Sequence, residues 1–127
     1  MCERVVASRA MTNSTFGRTG EDLAASFLER NGYLIVDRNV RWREGEIDLI
    51  VARAGVLAFV EVKSRRSRRY GVPAEAVTPA KQRRIRALAA RYLSERRPIG
   101  ARAIRFDVVE VARDPRGYQV RHLEDAF

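Results

Sequence analysis

Two acids and a lysine stand where they could act on one bound ion and its substrate. They are Asp48 within Glu46-Ile47-Asp48, and Glu61 with Lys63 within Glu61-Val62-Lys63. The only turn signal between them is Ala54-Gly55, and a hairpin centred there sets Asp48 opposite Glu61 and Glu46 opposite Lys63. Directly opposed residues of an antiparallel pair hold their Cβ atoms roughly 5 Å apart, so the two carboxylates can converge on one divalent cation. Without a cation they repel. Glu61 and Lys63 lie two residues apart on one strand, hence on one face and about 6.8 Å from each other, while Ala58, Val60 and Val62 take the other face. Ile50, Leu57 and Phe59 share the face of the acids, where a carboxylate at the edge of an apolar floor is costly unless paired or metal-bound. The residues alone leave two readings open: a metal site, or a salt-bridge ladder of Asp48, Glu61 and Lys63.

Lysine usage adds to the first reading. Lys63 and Lys81 are the only lysines among 25 basic residues, so where a bare positive charge suffices this sequence uses arginine. An ammonium is compact and can approach a bound water or a developing phosphate charge as a planar guanidinium cannot. Glu21 aligns at helical spacing with Ala24, Ala25 and Leu28; it reads either as a further ligand or water-orienting acid, or as an acid stabilising a helix N-terminus. Arg65, Arg66, Arg68 and Arg69 follow the Glu-Val-Lys motif directly and could clamp phosphates beside it, a surface that Lys81, Arg83, Arg84 and Arg86 could extend. A solvated charge run is the alternative. Asp107, inside an apolar stretch, reads as a structural acid, Trp42 as packing at the domain margin, and His122, the only histidine, as an exposed tail residue without chemistry.

Period and punctuation supply the elements that must position these groups. Thr19-Gly20-Glu21-Asp22 reads as an N-cap with acids in the first turn, opening a helix that runs to Gly32. Apolar residues at period two predict strands over 33–42, 45–53 and 56–63. Thr78 and Pro79 form an N-cap and first-turn pair for a long helix carrying Ile85, Leu88, Ala89, Tyr92 and Leu93, ended by Pro98 and Gly100. Residues 104–111 read as a buried strand, 114–117 as a turn and 118–123 as a weak last strand or tail. The expected order is α-β-β-β-α-β, an α/β sandwich around a short mixed sheet.

A chain of 127 residues fits one domain, with 1–14 read as a disordered leader and 15–127 as the domain. Its net charge of +9 and pI near 10.9 favour polyanionic partners, nucleic acid first. No run of about 18 apolar residues is present and the N-terminus lacks a signal-peptide pattern, so the expectation is a cytoplasmic protein without a membrane partner. The single cysteine, Cys2, excludes a disulfide framework or a thiolate metal site.

The segments Gly45-Glu46-Ile47-Asp48-Leu49-Ile50 and Phe59-Val60-Glu61-Val62-Lys63-Ser64-Arg65 resemble the paired motifs of the PD-(D/E)XK nuclease superfamily. More closely, from about Gly17 to Phe127 the chain resembles the YraN-like bacterial proteins, which are similar to archaeal Holliday-junction resolvases. Gly20-Glu21, Tyr70-Gly71, Val77-Thr78 with Lys81-Gln82, and Arg105-Phe106-Asp107-Val108-Val109 belong to that likeness. The resemblance implies a restriction-endonuclease-like three-layer sandwich. It implies Mg²⁺ or Mn²⁺ held by Asp48, Glu61 and the Val62 carbonyl, water activation by Lys63, and further catalytic positions at Glu21 and Gln82. Ile47 stands where the superfamily name has proline. The implied activity is metal-dependent endonucleolytic hydrolysis of nucleic acid, DNA ahead of RNA and branched DNA among its substrates, with a homodimer required for symmetric cutting of a junction. The alternative function is a nucleic-acid-binding module without turnover, or an adaptor in a DNA-repair or RNA-processing assembly.

Overall fold

A computed structural model of the chain describes residues 2–5, 16–65, 77–96 and 100–127. In chain order the elements are β1 (Cys2–Val5), α1 (Phe16–Arg30), β2 (Leu34–Trp42), β3 (Gly45–Arg53), β4 (Val56–Arg65), α2 (Pro79–Arg96), β5 (Ala103–Asp114) and β6 (Gly117–Leu123). They form one six-stranded mixed sheet in the order β1-β6-β5-β4-β3-β2. Only the β4–β5 pair is parallel, as expected of two strands joined by a helical crossover, while the hairpins on either side are antiparallel.

The α/β class, the mixed sheet and the two helices agree with the sequence. The expected order of six elements lacks two strands. One, β6, is the segment read as a weak strand or tail, and it lies between β5 and β1 as an interior strand. The other, β1, falls inside the expected leader and pairs antiparallel along β6, from Cys2 with Arg121 to Val5 with Tyr118. α1 also begins at Phe16, three residues before the expected cap at Thr19. Its far end is as the sequence suggests: Gly32 has φ 89°, Tyr33 N–H donates to Leu28 O at 3.0 Å and Gly32 N–H to Glu29 O at 3.1 Å. Those two bonds make a Schellman motif, closed by the contact of Tyr33 with Leu28 in the core.

Alternation along the strands sends two sets of apolar side chains to opposite faces. Leu49, Val51, Ala58, Val60, Val109, Val111, Tyr118 and Val120 meet Ala24, Phe27 and Leu28 of α1. Ile50, Leu57, Phe59, Phe106 and Val108 meet Ile85, Leu88, Ala89 and Tyr92 of α2. The protein is thus layered α1, sheet, α2. Phe59 is fully buried and stacks on Phe106 with centroids 5.7 Å apart, while Tyr92 meets it edge-on at 5.9 Å. Burying such a ring contributes about 1.5–3 kcal/mol before those contacts are counted, which fixes α2 against β4 and the motif it carries. Among the described residues, no helix is long and apolar enough to cross a membrane.

Candidate functional site

The expected hairpin register holds for its inner part: Leu49 pairs with Val60, Ile50 with Phe59, and so on to Arg53 with Val56 around the Ala54-Gly55 turn. The ladder ends at Leu49 and Val60, one step short of the acids. Val62 N–H there donates to Asp48 Oδ2 at 2.9 Å, so the side chain takes up a donor that strand pairing leaves over. That bond pins Asp48 beside Glu61. Burial first, then the charge of Glu61, push the Asp48 carboxyl up to about 7, against the pull of the Val62 N–H; Glu21 and Glu46 push the same way.

Glu61 is 7% exposed and faces two ammoniums with one oxygen. Lys81 Nζ lies 2.6 Å from its Oε1 and Lys63 Nζ 4.0 Å from it. Burial and the neighbouring Lys81 charge lower the Lys63 pKa, with Glu61 and Asp48 opposing. For Lys81, burial also pulls downward, but the hydrogen bond to Glu61 and the charges of Glu61 and Asp48 together win and raise it. The structure therefore brings Asp48, Glu61, Lys63 and Lys81 together. Sequence reasoning placed Lys81 on a nucleic-acid surface and missed its contact with Glu61; its being one of two lysines was the signal.

Glu21, on α1, lies close enough to Asp48 for its charge to bear on it. A Cβ at Gly20 would run into Ser64 Oγ, so glycine there lets α1 lie close on β4. Burial, then Glu46, raises the Glu21 pKa. Because α1 starts at Phe16, Glu21 is in the second turn, where the helix dipole has faded; no acid occupies the first turn. What holds Glu21 is Asn39, whose amide, turned nitrogen-inward, donates to its two oxygens at 2.8 and 3.1 Å. Asn39 has φ 50°, a left-handed conformation that asparagine tolerates better than most residues.

Other expected partners are engaged elsewhere. Glu46 pairs with Arg41 of β2 at 2.8 Å and stands opposite it in the β2–β3 register; the expected facing of Glu46 and Lys63 is not among the pairs the ladder forms. Gln82 Nε2 donates to Val77 O at 2.9 Å, reinforcing the start of α2, where Lys81 N–H donates to the Thr78 Oγ1 cap at 3.2 Å. Arg65 Nε is 3.0 Å from Glu110 Oε2, a carboxylate 5% exposed, so this arginine is tied into the sheet. Arg83 is exposed on α2. Arg66, Arg68 and Arg69, with Tyr70, Gly71 and Pro98, lie outside the described residues.

His122 corrects a reading. It is 3% exposed and its Nε2 lies 2.8 Å from Asp107 Oδ2. Asp107 is the structural acid expected, accepting also from Arg105 Nε and Nη2 at 2.8 Å each and from Asp125 N–H at 3.0 Å. Trp42 packs against the α2-side core and its Nε1–H donates to Glu95 at 3.1 Å.

Among the described residues, no three acidic, histidine or cysteine side chains converge as a ready-made metal cage. The hard-oxygen donors at the site are the pair Asp48 and Glu61. Mg²⁺ keeps several waters and commonly takes one or two carboxylates with substrate phosphates, so a pair of acids fits it, whereas structural Zn²⁺ takes four protein ligands.

A family model described as "Uncharacterised protein family UPF0102" matches residues 20–111. A UPF0102 protein of Symbiobacterium thermophilum is 54% identical over 114 residues, covering 87% of this chain and 94% of its own length. Relatives bearing the same description in Rhodococcus opacus and Syntrophus aciditrophicus are 51% identical over 117 residues and 44% over 119, covering 91% and 94% of this chain and 98% and 93% of their own. The chain belongs to the UPF0102 family, the YraN-like proteins that its motifs resemble.

Proposed function

We propose that the protein is a divalent-metal-dependent phosphodiester hydrolase of nucleic acid, DNA ahead of RNA, on a restriction-endonuclease-like sandwich. The observation that carries this reading is the coupling of Asp48 to Glu61. Two carboxylates from adjacent strands are held side by side, Asp48 by its bond from Val62 N–H, and burial first, then the charge of Glu61, pushes Asp48 up to about 7. That arrangement costs stability unless a cation compensates.

Asp48 and Glu61 would hold Mg²⁺ or Mn²⁺, with the Val62 carbonyl as a further ligand. When bound, such an ion supplies Lewis-acid polarisation of a phosphoryl oxygen and a more acidic water. Lys63 is placed on the same face, two residues from Glu61, with a lowered pKa; it can take a proton from the attacking water or stabilise charge developing on the phosphate. Glu21, fastened by Asn39, orients water from the α1 side. Arg83, exposed on α2, would contact a phosphate along the strand. Gln82 is assigned to building the α2 N-terminus, since its amide is bonded to Val77 O.

The test is a cleavage assay on labelled branched, single-stranded and duplex substrates with Mg²⁺ or Mn²⁺. Metal-dependent cutting that Lys63→Ala removes supports the reading, and absence of cutting on every substrate counts against it. A second reading, a nucleic-acid-binding module without turnover, is favoured by the closeness of Lys81 to Glu61, because an ammonium already neutralises the ligand. Binding without cutting would select it.

A further inference from the structure

The two ammoniums at Glu61 are not equivalent. Lys81 Nζ is 2.6 Å from Glu61 Oε1, the distance of a charge-assisted hydrogen bond, and Lys63 Nζ is 4.0 Å from the same atom. Lys63 rises from β4 beside Glu61, and its side chain is 25% exposed. Lys81 reaches across from the first turn of α2 and is 37% exposed, so its flexible stem has an outlet to solvent. With both acids ionised, Asp48 and Glu61 balance the charges of Lys63 and Lys81. A divalent ion placed on the two acids leaves a surplus of two positive charges in a half-buried space. An ammonium must then leave Glu61 or an anion must arrive, and Lys81 is the group that occupies the ligand oxygen and can swing away.

We propose that Lys81 is a built-in competitor for the divalent cation, holding Glu61 until nucleic acid arrives and then exchanging it for a phosphate as the metal takes its place. This rests on the metal-dependent reading above and adds an order to it. Metal and nucleic acid bind cooperatively, because each supplies the charge that the other's arrival requires. The protein alone holds metal weakly, and the complex with nucleic acid holds it well. Lys81 acts here as a positioning residue, through Glu61.

Mn²⁺ titration of the full chain, followed by the electron paramagnetic resonance of free Mn²⁺, tests the exchange. Lys81→Met keeps the stem and removes the charge, and it is expected to bind Mn²⁺ about tenfold more tightly than the unaltered protein, a size usual for such couplings. Lys81→Gln serves as a second neutral replacement, and Lys81→Arg, which retains a cation, should stay near the unaltered affinity. A cleavage-resistant phosphorothioate duplex should tighten Mn²⁺ binding in the unaltered protein and do so much less in Lys81→Met. Measurable Mn²⁺ binding that the neutral variants leave equal or weaker overturns the exchange while sparing the metal reading. Mn²⁺ bound by no variant at all, with or without the duplex, overturns both.

Discussion

Asp48 and Val62 are joined by a side-chain-to-backbone bond of 2.9 Å at the point where strand pairing between β3 and β4 gives out after Leu49 and Val60. The bond does two things at once. It satisfies a backbone donor next to the end of the ladder, and it holds an acid close to Glu61, where burial and like charge make ionisation costly. Local stability is given up at this place, which on the proposed metal reading keeps two oxygens ready for a cation.

Asp48→Asn measures that cost. A folded-state value of about 7, against 3.8 for an unperturbed aspartic acid, means the folded chain binds the proton more tightly. Its contribution is full below pH 4 and is lost as pH rises through 7. Asparagine keeps an acceptor for Val62 N–H without the charge. The variant should therefore be more stable than the unaltered protein at pH 8, by on the order of 2–4 kcal/mol, with the advantage shrinking toward pH 4. Mg²⁺ or Mn²⁺ should raise the melting temperature of the unaltered protein and leave Asp48→Asn unmoved. Urea melts across that pH range decide it, and an advantage that does not grow with pH would sink the account.

How far the sequence reached is visible at particular residues. The Ala54-Gly55 turn fixed the inner hairpin register, because a tight turn leaves few alternatives and a slip by one would turn every apolar side chain outward. Thr78 and Pro79 marked the start of α2 for the same local reason. What escaped were contacts that no local pattern encodes. The splaying of β3 from β4 beyond Leu49 sent Glu46 to Arg41 in place of Lys63, and the reach of Lys81 to Glu61 spans a helix and a strand. His122 is buried because its face of β6 lies under α1, where Phe27 and Tyr33 meet its ring edge-on; β6 is an interior strand, paired on its far side with β1, which is drawn from a segment whose composition reads as a leader. Its alternation with Tyr118 and Val120, both in the core, was the clue to its face.

Asp107 is buried on the α1 side of the sheet, bonded to His122. Burial alone would raise its pKa, but the donors His122, Arg105 and Asp125 N–H outweigh that and hold it below the usual carboxylate range. Asp107→Ala strands the His122 ring and the partly buried Arg105 guanidinium, and should cost about 3–5 kcal/mol in a urea melt. The sign with pH is opposite to that of Asp48. Asp107 contributes fully above pH 4 and loses its contribution as pH falls through its lowered value, so the alanine variant should show a flatter decline in acid. A loss under about 1 kcal/mol would mean the network is not what holds this region.

Asn39 separates backbone from side chain. Its φ of 50° penalises a residue with a Cβ and no local hydrogen bond, so Asn39→Ala should be less stable than Asn39→Gly by about 1 kcal/mol. Both lose the donors to Glu21, so both should weaken Mn²⁺ binding alike if Glu21 matters to the site. Equal stabilities of the two variants would show that the backbone at this position carries no strain.

Arg65 and Arg83 make opposite predictions although both were read as phosphate contacts. Arg65 is 20% exposed in its side chain and lies 3.0 Å from the buried Glu110. Arg65→Ser deprives that carboxylate of its partner and should destabilise the fold by about 2 kcal/mol or more. Arg83 is exposed on α2 near Lys81, and Arg83→Ser should leave stability within about 0.5 kcal/mol. For nucleic acid the ranking inverts. Loss of one phosphate contact lowers affinity and flattens the plot of log affinity against log salt by about one unit, an effect expected at Arg83, where the guanidinium is not committed to the sheet. Fluorescence anisotropy over a salt series, run beside urea melts, reads both quantities from the same preparations. A stable Arg65→Ser variant with a shallower salt slope would return Arg65 to the binding surface and assign the stability of Glu110 to another neighbour.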